Sequence, residues 1–130
     1  MKVVIDSNLF ISSLFGKVTS KLIQDIVLKK FELVSSQKQI EEICGVLKRP
    51  RFQNKISEKQ IKEIEQIIIS HGLIVATPGL LFACRDPKDN FILEMAVNGN
   101  ANMIITGDED LLILNPYNGI EIIKYAEFKI

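Results

Sequence analysis

The sequence has few of the side chains that bind transition metals or act as imidazole bases. It contains one histidine, His71, and two cysteines, Cys44 and Cys84, among 130 residues. Protein zinc sites use several Cys or His ligands, so this inventory disfavours a zinc centre. We interpret both thiols as small core residues and give His71 no role. Because a lone histidine weakens every mechanism that needs an imidazole base, carboxylates must carry any catalytic chemistry.

The sequence also lacks an apolar run long enough to cross a membrane. The longest uncharged stretch, residues 66–84, is broken by serine, histidine, glycine, threonine and proline, whereas a spanning helix needs about 20 continuous apolar residues. The amino-terminal run meets an acid at Asp6, which is too early for a signal peptide. We therefore expect a cytoplasmic protein. Its 130 residues predict a single domain over residues 1–130.

Two kinds of hydrophobic pattern alternate along the chain. Short aliphatic runs predict strands at Lys2–Ile5, Phe31–Val34, Leu73–Ala76, Met103–Thr106 and Glu121–Ile123. Apolar residues at helical spacing predict six helices. Four follow a capping residue: Asn8–Leu14 after Ser7, a helix from Thr19 or Ser20 to Lys30, a helix from the cap Ser36 to the Arg49–Pro50 break, and Glu58–Ser70 after Ser57. The others run over Phe91–Asn98 and over Leu111–Leu114. Strands separated by helices pair in parallel, so the predicted fold class is α/β, a three-layer α/β/α sandwich with a mostly parallel central sheet.

The charges sum to zero but are segregated along the sequence. The stretch from Lys48 to Lys62 contains one acid, Glu58, and six basic residues: Lys48, Arg49, Arg51, Lys55, Lys59 and Lys62. A later stretch is acidic, against the single base Lys88: Asp86, Asp89, Glu94, Asp108, Glu109 and Asp110. Two solvated faces would explain this pattern. The alternative is an acidic cluster that holds cations beside a basic surface that holds a polyanion.

Several acids fall where a parallel sheet binds its ligands, outside the carboxyl ends of the strands. Asp6 directly follows the first predicted strand, and Asp108 follows the fourth after Gly107. If those strands are neighbours, the two carboxylates come close enough to need a cation, and oxygen ligands favour a hard divalent ion. Glu42 lies at the edge of the inward face of its helix. Asp89 comes just before the helix predicted at Phe91–Asn98, where its side chain either caps that helix or points at a metal.

Four segments in order resemble the PIN-domain family, and specifically its VapC-like branch, the toxin components of toxin–antitoxin pairs. The segments are VVIDSNLFISSL (Val3–Leu14), SQKQIEEICGVLKRPRF (Ser36–Phe52), CRDPKDNFILEMAV (Cys84–Val97) and IITGDEDLL (Ile104–Leu112). The resemblance covers nearly the whole chain and implies a PIN-like sandwich.

The resemblance also implies the roles of particular residues. It places Asp6, Glu42, Asp89 and Asp108 in an acidic pocket for Mg²⁺ or Mn²⁺, with Asp110 as an outer member. Asn8 and Thr106 match the positions that orient those carboxylates, and Asp86 is given a structural role. The implied partners are RNA, a protein antitoxin and a second copy of the chain in a homodimer. The segment Gly16–Thr19 is shorter than the corresponding loop of many relatives, which leaves substrate preference open.

The function that follows is a metal-dependent endoribonuclease that cleaves single-stranded RNA with metal-activated water. Lys48, Arg49 and Arg51 are candidates for binding the RNA backbone, with a solvated helix face as the alternative. Phe52 either stacks on a base or packs against the preceding helix. Two other functions stay open: a non-catalytic RNA-binding or regulatory PIN module, and a Toprim-like phosphotransfer domain, for which we find no well-placed glutamate or phosphoacceptor aspartate.

Overall fold

A parallel β-sheet forms the centre of the fold. The computed structural model describes residues 1–16 and 21–129. Its strands are β1 (Lys2–Ile5), β2 (Glu32–Ser35), β3 (Gly72–Ile74), β4 (Met103–Ile105) and β5 (Glu121–Ile123). They form one sheet in the order β3-β2-β1-β4-β5, and every adjacent pair is parallel. The first and fourth strands are therefore neighbours, with Ile5 opposite Ile105, and the chain leaves both at the same edge of the sheet.

Helices connect the strands. They are α1 (Ser7–Phe15), α2 (Lys21–Val27), α3 (Gln37–Leu47), α4 (Glu58–His71), α5 (Asn90–Asn98) and α6 (Glu109–Leu112). Short 3₁₀ turns lie at Pro50–Phe52, Pro87–Asp89 and Tyr125–Glu127. Of the helices in the described residues, none has the length and apolar character needed to span a bilayer.

Alternating side chains of the sheet face two separate hydrophobic clusters. In β1, Val3 and Ile5 point into a cluster built with α1, α2, α3 and α4, whereas Val4 points into a cluster built with α5 and α6. Both faces of the sheet are thus covered by helices, which is why its strands are apolar on both sides. The predicted α/β sandwich with a parallel sheet is confirmed.

The starts and ends of the first two helices differ from the prediction. Helix α1 is capped by Asp6, whose side chain accepts from the Asn8 amide, and Ser7 is its first residue instead of its cap. Helix α2 ends at Val27, before the predicted Lys30, because Lys29 adopts a left-handed φ of 56°. The predicted caps Thr19 and Ser20 lie outside the described residues.

Both cysteines lie in the core, as predicted. Cys44 belongs to the cluster with α1–α4 and Cys84 to the cluster with α5 and α6, and both are free thiols. Burial, together with the neighbouring carboxylates, raises the pKa of Cys84 to about 11. Because such a thiol stays protonated near neutral pH, Cys84 behaves as a small core residue.

Candidate metal centre

Asp6 connects β1 to α1 and is held by contacts on both carboxylate oxygens. Its Oδ1 accepts from the backbone amide of Asn8 at 3.2 Å, and its Oδ2 accepts from the Thr106 hydroxyl at 2.5 Å. Asp6 is only 9% exposed. Burial raises the pKa of Asp6, the two hydrogen bonds oppose that shift, and the nearby Asp108 charge adds to it. The side chain is therefore fixed at the sheet edge in an environment that disfavours its charge unless a cation is present.

Asp108 reaches the same place from β4. It caps α6, with Oδ1 accepting from the Asp110 amide at 2.8 Å, and its own amide donates to the Thr106 hydroxyl oxygen at 3.0 Å. The Thr106 hydroxyl therefore contacts both segments: it donates to Asp6 and accepts from Asp108. Parallel pairing of β1 with β4 produces this proximity, because equivalent ends of neighbouring parallel strands meet at one edge.

Asp89 approaches these two acids from the segment before α5. It occupies the N-cap position of α5, yet within the described residues its side chain makes no capping hydrogen bond. Its Oδ2 is buried and has no hydrogen-bond partner in that part of the chain. Burial raises the pKa of Asp89 to about 7, reinforced by its hydrogen bond to Asp108, by the Asp108 charge and then by Asp86 and Asp6. Asp89 thus stands at the cap position of α5 without the capping contact, and its carboxyl group hydrogen-bonds to Asp108 instead.

Asp86 and Asp110 extend the cluster outward. Each offers a carboxylate oxygen, and together with one from Asp89 these oxygens lie within 4.8 Å of one another. Asp86 also caps the Pro87–Asp89 turn by accepting from the Lys88 amide at 3.1 Å. Asp110 forms an ion pair with the exposed Arg85. The structural role expected for Asp86 is thus present as a capping contact, but its carboxylate is also close enough to contribute to a cation site.

Glu42 does not share these contacts. It lies exposed on α3, and no interaction found among the described residues joins it to Asp6, Asp89 or Asp108. Gln39, one turn earlier on α3, is instead the buried polar residue beside the sheet edge. Its Nε2 donates to the Ile5 carbonyl at 2.6 Å and to Ser7 Oγ at 3.3 Å. Sequence reasoning missed Gln39, although its position four residues before Ile43 on the inward face of the helix could have suggested it.

A cavity of about 390 Å³ opens above Asp6 and Asp108. It is lined by Asp6, Asn8, Leu9, Ser12, Gly107 and Asp108. The contact of Asn8 with Asp6 comes from its backbone amide, whereas sequence reasoning gave the orienting role to the polar side chain. Asn8 and Ser12 also line a second cavity of about 640 Å³, so the two openings adjoin.

The carboxylates fit a hard divalent cation. Among residues 1–16 and 21–129, no lysine or arginine forms an ion pair with Asp6, Asp89 or Asp108. The buried and unpartnered Asp89 Oδ2 is the kind of atom that a cation would satisfy. Oxygen donors alone, without sulfur or imidazole, suit Mg²⁺ or Mn²⁺ better than zinc.

The predicted RNA-contacting bases lie on the surface. Lys48, Arg49 and Arg51 are all exposed. Phe52 is half-buried and stacks on Phe15 of α1, with ring centroids 5.2 Å apart and an angle of 11° between the rings. Phe52 therefore packs against α1, and the expectation that it stacks on a base stays a prediction.

Comparison with known proteins supports the pattern of motifs. A family model described as PIN domain matches residues 2–110, a range that contains every acid of the cluster. An uncharacterized protein of Methanocaldococcus jannaschii, MJ1680, is 31% identical over 121 residues, which cover 91% of this chain and 77% of that protein.

Proposed function

This chain belongs to the PIN-domain family, and on that premise we propose that it is a divalent-metal-dependent endoribonuclease that hydrolyses phosphodiester bonds of single-stranded RNA. Members of the family are generally nucleases. The observation that carries the proposal is the convergence of Asp6, Asp89 and Asp108 without a lysine or arginine pairing with them in the described residues. Neighbouring carboxylates repel one another unless a cation binds between them, and such clusters are found at functional sites.

In the proposed site Asp6, Asp89 and Asp108 would hold the cation, and Asp110 would be an outer member. Glu42, which is exposed on α3, would have to approach from there to complete or water-bridge the shell. A bound Mg²⁺ or Mn²⁺ supplies Lewis acidity to the phosphate and lowers the pKa of water, so no histidine base is required. The protein residues do the positioning. The Thr106 hydroxyl donates to the Asp6 carboxylate and accepts from the Asp108 backbone amide, and the Asp110 amide holds the Asp108 carboxylate, so both carboxylates are oriented before substrate arrives.

The exposed bases are proposed to bind the substrate. Lys48, Arg49 and Arg51 follow α3, and phosphate contacts of this kind hold a chain in place without reading its sequence. Since Arg51 lines the cavity that adjoins the acids, a strand held there is directed toward Asp6 and Asp108.

The test is cleavage of a labelled single-stranded RNA by the purified chain in Mg²⁺ or Mn²⁺, with EDTA as the control. We expect cleavage only with metal, and a loss of at least about 100-fold in Asp6→Asn, because a direct ligand should matter more than an outer-shell partner. Asp25→Asn is the matched control: Asp25 is also a buried aspartate, but it lies on α2 and pairs with Lys30. Metal-dependent cleavage that survives in Asp6→Asn would refute the assignment, and binding without cleavage would favour a non-catalytic RNA-binding module.

The finer proposal is that the protein is the toxin of a toxin–antitoxin pair, active in the cytoplasm as a homodimer and inhibited by a protein antitoxin. The four motifs of the toxin branch support it. Induced expression in a bacterial host should arrest growth, and Asp6→Asn should not. Co-expression of a small protein encoded directly upstream should restore growth, and growth arrest that no neighbouring gene relieves would contradict the pairing.

A further inference from the structure

The larger cavity, of about 640 Å³, adjoins the acidic cavity but differs from it in chemistry. It lies between α1 and the Pro50–Phe52 turn, and we call it the aromatic groove. The residues that matter for its chemistry are Phe15, Arg51, Phe52 and Lys55. Its walls therefore combine two rings with two cationic side chains, whereas the walls of the acidic cavity carry Asp6 and Asp108.

An aromatic stack in the groove is partly open to solvent. Phe15 and Phe52 lie with ring centroids 5.2 Å apart, and the Arg51 guanidinium carbon lies 4.7 Å from the Phe52 ring centroid. Phe15 is 41% exposed. An exposed ring and a guanidinium plane are the surfaces on which unpaired bases stack.

The cations in the groove are available to an anion. Arg51 and Lys55 are exposed, and neither forms an ion pair with an acid in the described part of the chain. A ligand with one aromatic plane and one adjacent negative charge matches this arrangement. A nucleotide within a single strand has both, whereas a base-paired nucleotide keeps its faces inside the duplex.

Resting on the proposed function, we propose that the aromatic groove binds one unstacked nucleotide of single-stranded RNA next to the cleaved linkage, with its base on the exposed Phe15 end of the Phe15–Phe52 stack and its phosphate on Arg51 and Lys55. The shared lining of the two cavities, Asn8 and Ser12, joins the groove to the acids. The groove therefore selects for an unpaired base, and the acidic site acts on the neighbouring phosphodiester.

The experiment measures binding separately from cleavage. A labelled octamer of uridylate and the same octamer carrying abasic positions are titrated against the protein in EDTA, where no metal-dependent cleavage takes place. We expect the wild-type chain to bind the intact octamer about tenfold more tightly, in line with the stacking of one base. Phe15→Leu should bring that ratio close to one, and Phe15→Trp should preserve it because it keeps an aromatic face.

The charge contacts have their own control. Arg51→Ala should reduce the slope of log affinity against log salt by about 0.7, the value for one phosphate contact on a single strand. Lys62→Ala is the matched control, because Lys62 is an exposed lysine of the same basic stretch that does not line the groove. An equal change in both variants would indicate a diffuse basic surface and would overturn the groove.

The outcomes separate this inference from the proposed function. If the protein cleaves RNA but binds the octamer and its abasic form equally well, the proposed role of the groove is wrong and the proposed nuclease function stands. If the protein binds the intact octamer more tightly than the abasic form but does not cleave RNA with any added metal, the groove is supported and the nuclease proposal is wrong. If Phe15→Leu changes the sedimentation mass but not RNA binding, the groove is a contact between copies of the chain. Far-UV circular dichroism checks the fold, and Phe52→Leu repeats the test if Phe15→Leu does not fold.

Discussion

At the scale of single residues, Asp89 should make cation binding depend on pH. Burial and the neighbouring Asp108 raise the pKa of Asp89 to about 7. A cation binds the ionised carboxylate, so protons compete with it below that pKa. The affinity for Mg²⁺ or Mn²⁺ should therefore fall by about tenfold per pH unit below pH 7 and level off above it. Calorimetric titration with Mn²⁺ between pH 5.5 and 8.5 measures this dependence.

Asp89→Asn is the control for this pH dependence. The variant should bind Mn²⁺ more weakly at pH 8, and its affinity should change less between pH 6 and pH 8, because the group with the raised pKa is gone. An equally steep dependence in wild type and variant would mean that another carboxyl group titrates there. Asp6 is the obvious candidate, since burial raises its pKa as well.

Thr106 should act by orienting the two neighbouring acids. Its hydroxyl donates to Asp6 Oδ2 and accepts from the Asp108 amide, and its side chain is buried. Thr106→Val keeps the shape but removes both hydrogen bonds, and we expect metal affinity to fall by about 10–100-fold, as for other outer-shell partners. Thr106→Ser keeps the hydroxyl and should bind metal nearly as wild type does. If both variants bind equally well, the hydroxyl does not orient the carboxylates.

The sequence allowed the position of a side chain to be predicted where that residue directly follows the end of a strand. Asp6 and Asp108 follow adjacent parallel strands, so their proximity followed once the strand order was assumed. The orientation of Asp89 was harder to predict, because it depends on the path of the loop between β3 and α5 and not on helical or strand periodicity. Gln39 was missed for a related reason: burial of an amide depends on partners such as the Ile5 carbonyl, which the local sequence does not show.

At the scale of secondary-structure elements, two glycines should respond in opposite ways to alanine. Gly99 ends α5, and a Cβ there would lie 2.5 Å from Val34 Cγ1 of β2, so the helix and the strand would have to separate. Gly45 lies inside α3, and nothing lies within 4 Å of the position that an added methyl group would take. We expect Gly99→Ala to lower the free energy of unfolding by about 1–3 kcal/mol and Gly45→Ala to raise it by about 0.5–1 kcal/mol.

Urea unfolding of both alanine variants beside the wild type measures these changes. Each variant is a control for the other, because both add one methyl group to a glycine in or at the end of a helix. A Gly99→Ala protein as stable as wild type would show that α5 and β2 can part without cost. A destabilised Gly45→Ala protein would show that α3 needs the glycine for a reason other than space.

Helix and strand positions were predictable to within a few residues, and the errors have local causes. The strands β1 and β5 begin and end where predicted, because polar or turn residues bound short aliphatic runs. Ser36 and Ser57 cap α3 and α4 as predicted, and Ser57 forms a capping box with Gln60. The end of α2 was wrong, because a lysine in the left-handed region gives no signal of the kind that glycine gives.

At the scale of the whole molecule, the acidic cluster joins segments that are distant in the sequence. Asp6 follows β1, Asp89 precedes α5 and Asp108 follows β4, so the cluster draws on both helical layers and on the central sheet. Without a cation the burial of these carboxylates, and to a smaller extent their mutual repulsion, opposes folding, as the raised pKa values of Asp6 and Asp89 indicate. A cation that binds only the folded chain should reverse that effect.

The proposed metal should therefore stabilise the protein as a whole. At a free concentration of about 100 times its dissociation constant, Mn²⁺ should add about 2.7 kcal/mol to the free energy of unfolding, which corresponds to a rise in Tm of roughly 10 °C for a chain of this length. Differential scanning calorimetry in Mn²⁺ and in EDTA measures the difference. Asp6→Asn should be at least as stable as wild type in EDTA, since a repulsive charge is removed, but should gain little from Mn²⁺. Equal gains in both proteins would place the stabilising ion elsewhere on the surface, and the convergence of these acids would then need another explanation.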